Sequence, residues 1–217
     1  MIEITQKLLP ISSQRRSGQK ILGINHIVSH DTGNDGSTAN QNASYYFNSA
    51  QKEQASAHYF VDDKQIICVI PEIEKAWHVR YLVTKDNELF GKDSNDWSIG
   101  IELCFHSKNI LVDNLKAYQN YVELHAHFCK KYNINPKTNI VGHYLLDPTR
   151  RTDPLNAFKY IGKNWEQFTD DVAKLLEPVV QPVVPATPVS TIDPNETIKK
   201  QIVIRLNEVE AMLDLIK

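Results

Sequence analysis

The three cysteines, Cys68, Cys104 and Cys129, stand far apart, and no two of them form a C-x-x-C pair. They read as small apolar residues or free thiols, which fits a reducing compartment at synthesis. An excess of either charge is lacking too: 24 Lys and Arg face 26 Asp and Glu, a formal net charge of −2. So weak a field gives no general attraction to nucleic acid or anionic membrane, and partners have to be argued from a site. No stretch approaches the roughly 20 apolar residues that cross a bilayer, which excludes membrane insertion by a helix. The N-terminal "MIEITQKLLPISSQRRSGQK" also lacks the continuous apolar core of a secretory signal. The expectation is synthesis in the cytoplasm, with action elsewhere depending on release by another agent.

What is there is the composition of a globular chain, 41% hydrophobic and 23% charged over 217 residues, room for one domain and an appendage. Prolines at 178, 182, 185 and 188 mark residues 177–192 as an extended linker, because proline fixes φ and removes a backbone donor. This divides the chain into a domain over 1–176, the linker, and a C-terminal segment over 193–217. In that last segment Asp193, Pro194 and Glu196 form a helix-start signature. Ile202, Leu206, Val209, Leu213 and Ile216 follow at a/d spacing, short for a coiled coil. The expectation is an amphipathic helix that self-associates into a homo-oligomer or docks on a partner; a helix folded back on the domain fits the pattern as well.

Before the linker, strand and helix patterns alternate. "ILGINHIVSH" (21–30) reads as a strand, "TANQNASYYFNSA" (38–50) as a helix capped by Ser37, and "AHYFVDDKQIICVIP" (57–71) as a hairpin turning at Asp62-Asp63. "WSIGIELCF" (97–105) alternates, with Ile99, Ile101 and Leu103 on one face and Ser98, Gly100, Glu102 and Cys104 on the other. Residues 113–132 form an amphipathic helix on Leu115, Tyr118, Val122, Leu124 and Phe128, "NIVGH" a short strand, and 157–176 one final helix. The fold class predicted is α/β, a central mixed sheet flanked by helices.

Three chemically capable residues, His30, Glu102 and His143, fall at or just beyond strand ends, where ligand sites form in such sheets. Ser98 and Gly100 are small and leave space beside Glu102, a carboxylate that needs a partner among apolar neighbours. His30, His143 and Asp153 make a three-ligand set of the kind a catalytic zinc takes, with the loop 144–152 bringing the last two together. Pro148 and Pro154 stiffen that loop. This is no H-E-x-x-H, and a lone histidine is more often a satisfied structural residue than a ligand, so the residues by themselves leave the metal reading open. His26 shares the His30 face, as second shell or as a hydrogen-bonded core residue. His58 and His106 read as structural, and His125 and His127 as solvated.

Taken together and in order, "VSHDTGN", "SAHYFVDD", "AWHVR", "NDWSIGIEL" and "VGHYLLDPTRRTDP" resemble the zinc-dependent N-acetylmuramoyl-L-alanine amidases, the type shared with phage endolysins and peptidoglycan recognition proteins. The likeness runs from about residue 4 to about 170. "ITQKLLPISSQRRSG" and the hairpin are most similar to endolysins of Gram-positive hosts. "NDWSIGIEL" and "RRTDP" are similar at least as much to intracellular muropeptide-recycling amidases. The resemblance implies one zinc ion on His30, His143 and Asp153, with Glu102 activating the attacking water. It implies substrate contacts from Trp77, His78 and Asn95, although Trp77 reads equally as a core aromatic and His78 as a surface histidine. Relatives that place a tyrosine before the histidine of "SAHY" differ here, where Ala57 stands. The recycling branch has lysine two residues before the aspartate ligand; here Arg151 takes that place, and a guanidinium can hold an oxyanion but cannot donate a proton at neutral pH.

The function implied is hydrolysis of the amide between N-acetylmuramate and L-alanine, with peptidoglycan as partner and release to the wall through holes made by another protein. The alternatives are a recycling amidase on soluble anhydro-muropeptides and a recognition module that binds without cutting. A zinc nuclease would want a basic groove, and the charges of residues 1–176 balance.

Overall fold

The alternation in "SIGIEL" becomes strand β5 (Ser98–Leu103) of the computed structural model, which describes residues 3–48, 53–80 and 85–177. Around it lie β1 (Ile4–Gln6), β2 (His26–Asp31), β3 (Tyr59–Val61), β4 (Ile66–Cys68) and β6 (Ile140–Gly142). They form one sheet in the order β1-β4-β3-β5-β2-β6. Every pair is parallel except the β3–β4 hairpin, so the sheet is mixed. Helices α1 (Ala39–Tyr46), α2 (Asp86–Phe90), α3 (Ser94–Trp97), α4 (Asn114–Tyr132), α5 (His143–Leu146), α6 (Leu155–Phe158) and α7 (Trp165–Lys174) complete the described residues, with a 3-10 turn at Lys159–Ile161.

Register decides which residues meet. On β2 and β5 the pairs His26–Ser98, Val28–Gly100 and His30–Glu102 are neighbours, so five side chains share one face with the bare backbone of Gly100. The opposite face carries Ile27, Ile99, Ile101 and Leu103, all buried, and Tyr59, in register with Ile101, packs its ring on Phe128 of α4. The main core forms there, where Tyr121, Phe158 and Phe168 bring α4, α6 and α7 together. A smaller cluster of Val28, Val79, Val141 and Leu146 lies on the first face, beneath the histidines. The larger apolar core thus lies on one face, and the polar residues capable of chemistry are gathered on the other.

Several local expectations are corrected. The helix at 38–50 is capped by Thr38, whose side chain accepts from Gln41 N–H while the Gln41 side chain accepts from Thr38 N–H, a closed capping box that Ser37 does not make. The strand expected at 21–30 begins only at His26. Residues 157–176 are not one helix. Gly162 adopts a left-handed φ of 64° and ends the 3-10 turn, and Asn164 starts α7 with a second capping box on Gln167. Leu115 does not join the α4 core but is 53% exposed, while His125, expected in solvent, is wholly buried; His127 is exposed. His125 Nδ1 hydrogen-bonds Tyr121 O and its Nε2 the Ser29 hydroxyl, so its polar atoms are satisfied inside the core. The described residues end with a compact unit that closes at Glu177. The linker and terminal helix expected from the sequence lie outside the described residues, as does the self-association assigned to them.

Candidate active site

His30 is the fifth residue of β2, and His143 follows directly on β6, its parallel neighbour. Parallel strands put both histidines at one edge of the sheet. Asp153 is brought back to them by an excursion of the chain closed at its base, where Tyr144 N–H donates to Asp153 O at 3.0 Å. Inside the excursion the Asp147 carbonyl accepts from both Arg150 and Arg151 N–H, and its carboxylate pairs with the Arg150 guanidinium. Asp31, at the end of β2, anchors the far side: its carboxylate accepts from Ala157 N–H at 3.2 Å and from the Asn156 amide at 3.3 Å. Gly142 lets the Tyr144 ring lie against the strand end, where a Cβ would stand 2.5 Å from it.

The result is a triangle of buried donors. His30 Nδ1, His143 Nδ1 and Asp153 Oδ2 are each 3.0 Å from the other two. Two imidazole nitrogens and a carboxylate oxygen make the donor set of a catalytic zinc with three protein ligands. Bonds of about 2.0–2.1 Å on a tetrahedral ion separate its ligands by about 3.3 Å, close to the triangle seen. Burial brings the His30 imidazole down to about 4, against which the Asp153 carboxylate acts only in part, so it is neutral and fit to be a ligand. Burial would raise Asp153, but the two imidazoles of His143 and His30 against its carboxylate hold it below the ordinary carboxylate range. The residues present fit the metal.

A cleft opens over the triangle, walled by Trp77, His78, Glu102, Arg150 and Arg151, with Tyr46 at its rim. Glu102 stands beside His30 on the next strand, with Oε2 buried and without a hydrogen-bond partner. Burial, then the charges of Asp153 and Asp31, push its carboxyl well above the ordinary value, while the Arg151 guanidinium acts the other way. Such an acid is poised to take and return a proton. Arg151 itself is exposed on the cleft wall, and among the described residues no carboxylate pairs with it.

Residues 18–156 match the family model described as N-acetylmuramoyl-L-alanine amidase. The chain belongs to this family. It is 31% identical over 168 residues to the N-acetylmuramoyl-L-alanine amidase BlyA of Bacillus subtilis, covering 71% of this chain and 42% of that one. It is also 31% identical over 158 residues to the amidase CwlL of Bacillus licheniformis, again 71% and 42% of the two chains. The chain therefore spans less than half the length of these curated relatives. Among solved structures, a mutant endolysin from Bacillus subtilis superposes with a TM-score of 0.62 at 27% identity, covering 79% of this chain and 99% of that one.

In this amidase-family chain the remaining predicted residues take distinct places. Trp77 is half-buried on the cleft wall, with the Lys75 ammonium 4.7 Å from its ring centre. His78 is buried, touching the cleft only at its wall, with Nδ1 3.1 Å from His30 Nε2 and Nε2 3.3 Å from the Ser98 hydroxyl. Asn95 does not line the cleft. It is fully buried, its Oδ1 accepts from His78 and Val79 N–H, and its amide nitrogen donates to Val79 O, each at 3.0 Å. The open space expected beside Glu102 is filled by the His78 ring, which a Cβ on Gly100 would meet at 2.6 Å. His26 bonds Asn25 and the Ser94 hydroxyl and stacks on Phe90, away from the triangle. His58, with Nδ1 accepting from Gly100 N–H, and His106, with Nδ1 accepting from Lys108 N–H, hold backbone. Where some relatives have a tyrosine this chain has Ala57, and the Tyr46 hydroxyl from α1 reaches its backbone instead. Sequence reading missed Asp31 as the anchor of the ligand loop. The signal available was its place next to His30 in "SHDT", which does not reveal Ala157 as the partner.

Proposed function

We propose that this chain is a zinc-dependent N-acetylmuramoyl-L-alanine amidase that cuts the bond between N-acetylmuramic acid and L-alanine in peptidoglycan, acting as an endolysin. The observation that carries the reading is the convergence of His30, His143 and Asp153 at 3.0 Å beneath a cleft that also holds the partnerless carboxylate of Glu102. His30, His143 and Asp153 would hold the ion. When bound, it supplies Lewis-acid polarisation of the substrate carbonyl and lowers the pKa of a water towards ~7.

The chain's own residues do the rest. Glu102 takes the proton of the attacking water and returns it to the departing amine of L-alanine, since its raised pKa suits both transfers. Arg151, from the cleft wall, stabilises the negative charge that develops on the carbonyl oxygen; as a permanent cation it acts by charge alone. Trp77 offers an aromatic wall against the glycan or stem peptide.

The test is mass spectrometry of fragments released from purified sacculi, with zinc and with chelator. Free L-alanine amino termini should appear only with metal, and Glu102→Gln should slow release roughly 10²-fold or more while metal stays bound. Cleavage at a glycosidic or cross-link bond instead would overturn the assignment. Digestion of soluble anhydro-muropeptides with intact sacculi left untouched would replace the endolysin reading with the recycling one.

A further inference from the structure

The ligand His30 is not free to choose which of its nitrogens carries the proton. We propose that His78 is the positioning residue that fixes this choice, and that the choice originates at the backbone carbonyl of Ser94. This inference rests on the zinc reading for its use, but not for its geometry.

The chain of hydrogen bonds can be read in one direction. The Ser98 hydroxyl donates to Ser94 O at 2.7 Å, and a hydroxyl has one proton to give. Towards His78 Nε2, 3.3 Å away, Ser98 Oγ therefore accepts, so the hydrogen of His78 is on Nε2. His78 is buried against the imidazoles of His30 and His58, an environment that disfavours a second proton. Its Nδ1 then presents a lone pair, and His30 Nε2, at 3.1 Å, must donate to it. With its hydrogen on Nε2, His30 turns the Nδ1 lone pair onto the point where His143 Nδ1 and Asp153 Oδ2 converge. A backbone carbonyl thus sets the metal-facing tautomer through two side chains.

The fold is built around this relay. Asn95 grips the backbone of residues 78 and 79 by three hydrogen bonds, and Gly100 leaves the space the ring occupies. The stretch "NDWSIGIEL" therefore supplies the buttress through Asn95, Ser98 and Gly100 and the carboxylate through Glu102. His143 has no equivalent: its Nε2 is buried without a partner. The two histidine ligands are unequal, one locked and one supported by the triangle alone.

Two measurements test this on the full chain. Long-range nitrogen–proton correlation spectra of the zinc-free protein should show His30 and His78 each protonated on Nε2, and Ser98→Ala should abolish that fixed pattern at both. Zinc affinity, measured by competition with a chromophoric chelator, should fall about 10–100-fold in His78→Phe. Ser98→Ala, which keeps the ring in place, should lower it by a smaller factor. A His30 protonated on Nδ1 in the zinc-free wild type would overturn the proposal, as would wild-type affinity in folded His78→Phe. If the wild type binds no zinc at all, the function proposed above falls, and the spectra still decide the tautomer.

Discussion

Glu102 is an acid in the wrong solvent, and its usefulness follows from that. It has to be ionised to take a proton, so activity falls as pH drops through its pKa, and burial sets this limb above the range of an exposed carboxylate. A divalent ion on Asp153 and two neutral imidazoles would leave a net positive charge there. That turns the neighbour from one that raises Glu102 into one that lowers it, and leaves burial to hold the limb up. Arg151 pulls the Glu102 pKa down. Arg151→Ala should therefore move the acid limb of kcat/KM to higher pH as well as slowing the reaction, whereas Arg151→Lys, which keeps the charge, should leave the limb in place. A limb that stays put when the charge is removed would separate Arg151 from Glu102. At this scale the sequence is a good guide to residues that lie on regular strands. His30, Glu102 and His143 could be placed at or just beyond strand ends, and the parallel pairing of those strands then brings the ends together. His78 and Asn95 could not, because their places depend on a gap left by Gly100 on another element. No local pattern encodes that a glycine's missing side chain will be filled by a particular imidazole.

Among the elements, stability rests both on apolar packing and on histidines buried as neutral rings, and each responds to a different insult. Phe168 joins α7 to α4 and α6 with no exposed surface, so Phe168→Ala should cost about 3–5 kcal/mol in denaturant unfolding. The buried histidines respond to pH. Burial lowers His58 to about 4 and His125 to about 3, both from an unfolded value near 6.5. The unfolded chain binds protons first, so stability is full above about 6.5 and declines as pH falls from there, to about 4 for His58 and about 3 for His125. Thermal unfolding across that range should show the decline, and His125→Gln should flatten part of it. The hairpin, the long helix and the central strand were legible because their periods are clean over several residues. The helix over 157–176 was misread for the opposite reason: its apolar spacing runs on through Gly162 and Asn164, and only the left-handed turn and the second cap reveal the break.

For the molecule as a whole, a ligand that binds only the folded state raises its apparent stability. Added zinc should raise the melting temperature, a chelator should reverse the rise, and Asp153→Ala should abolish it, independently of any assay of hydrolysis. The mixed sheet and its flanking helices were readable from the order of patterns, whereas the closure of the ligand loop onto Asp31 was not, since it joins residues far apart in sequence. That closure has a consequence for how this chain could change. The segment between Tyr144 and Asp153 is clamped at its base by one backbone hydrogen bond, and both arginines of the cleft ride on it. Lengthening a loop whose ends are already fixed adds little entropy cost. Leu146 and Asp147 are buried, but the exposed run 148–152 is in effect an exchangeable cassette: new lengths and new side chains can be tried over the cleft while the three donor atoms beneath keep their spacing.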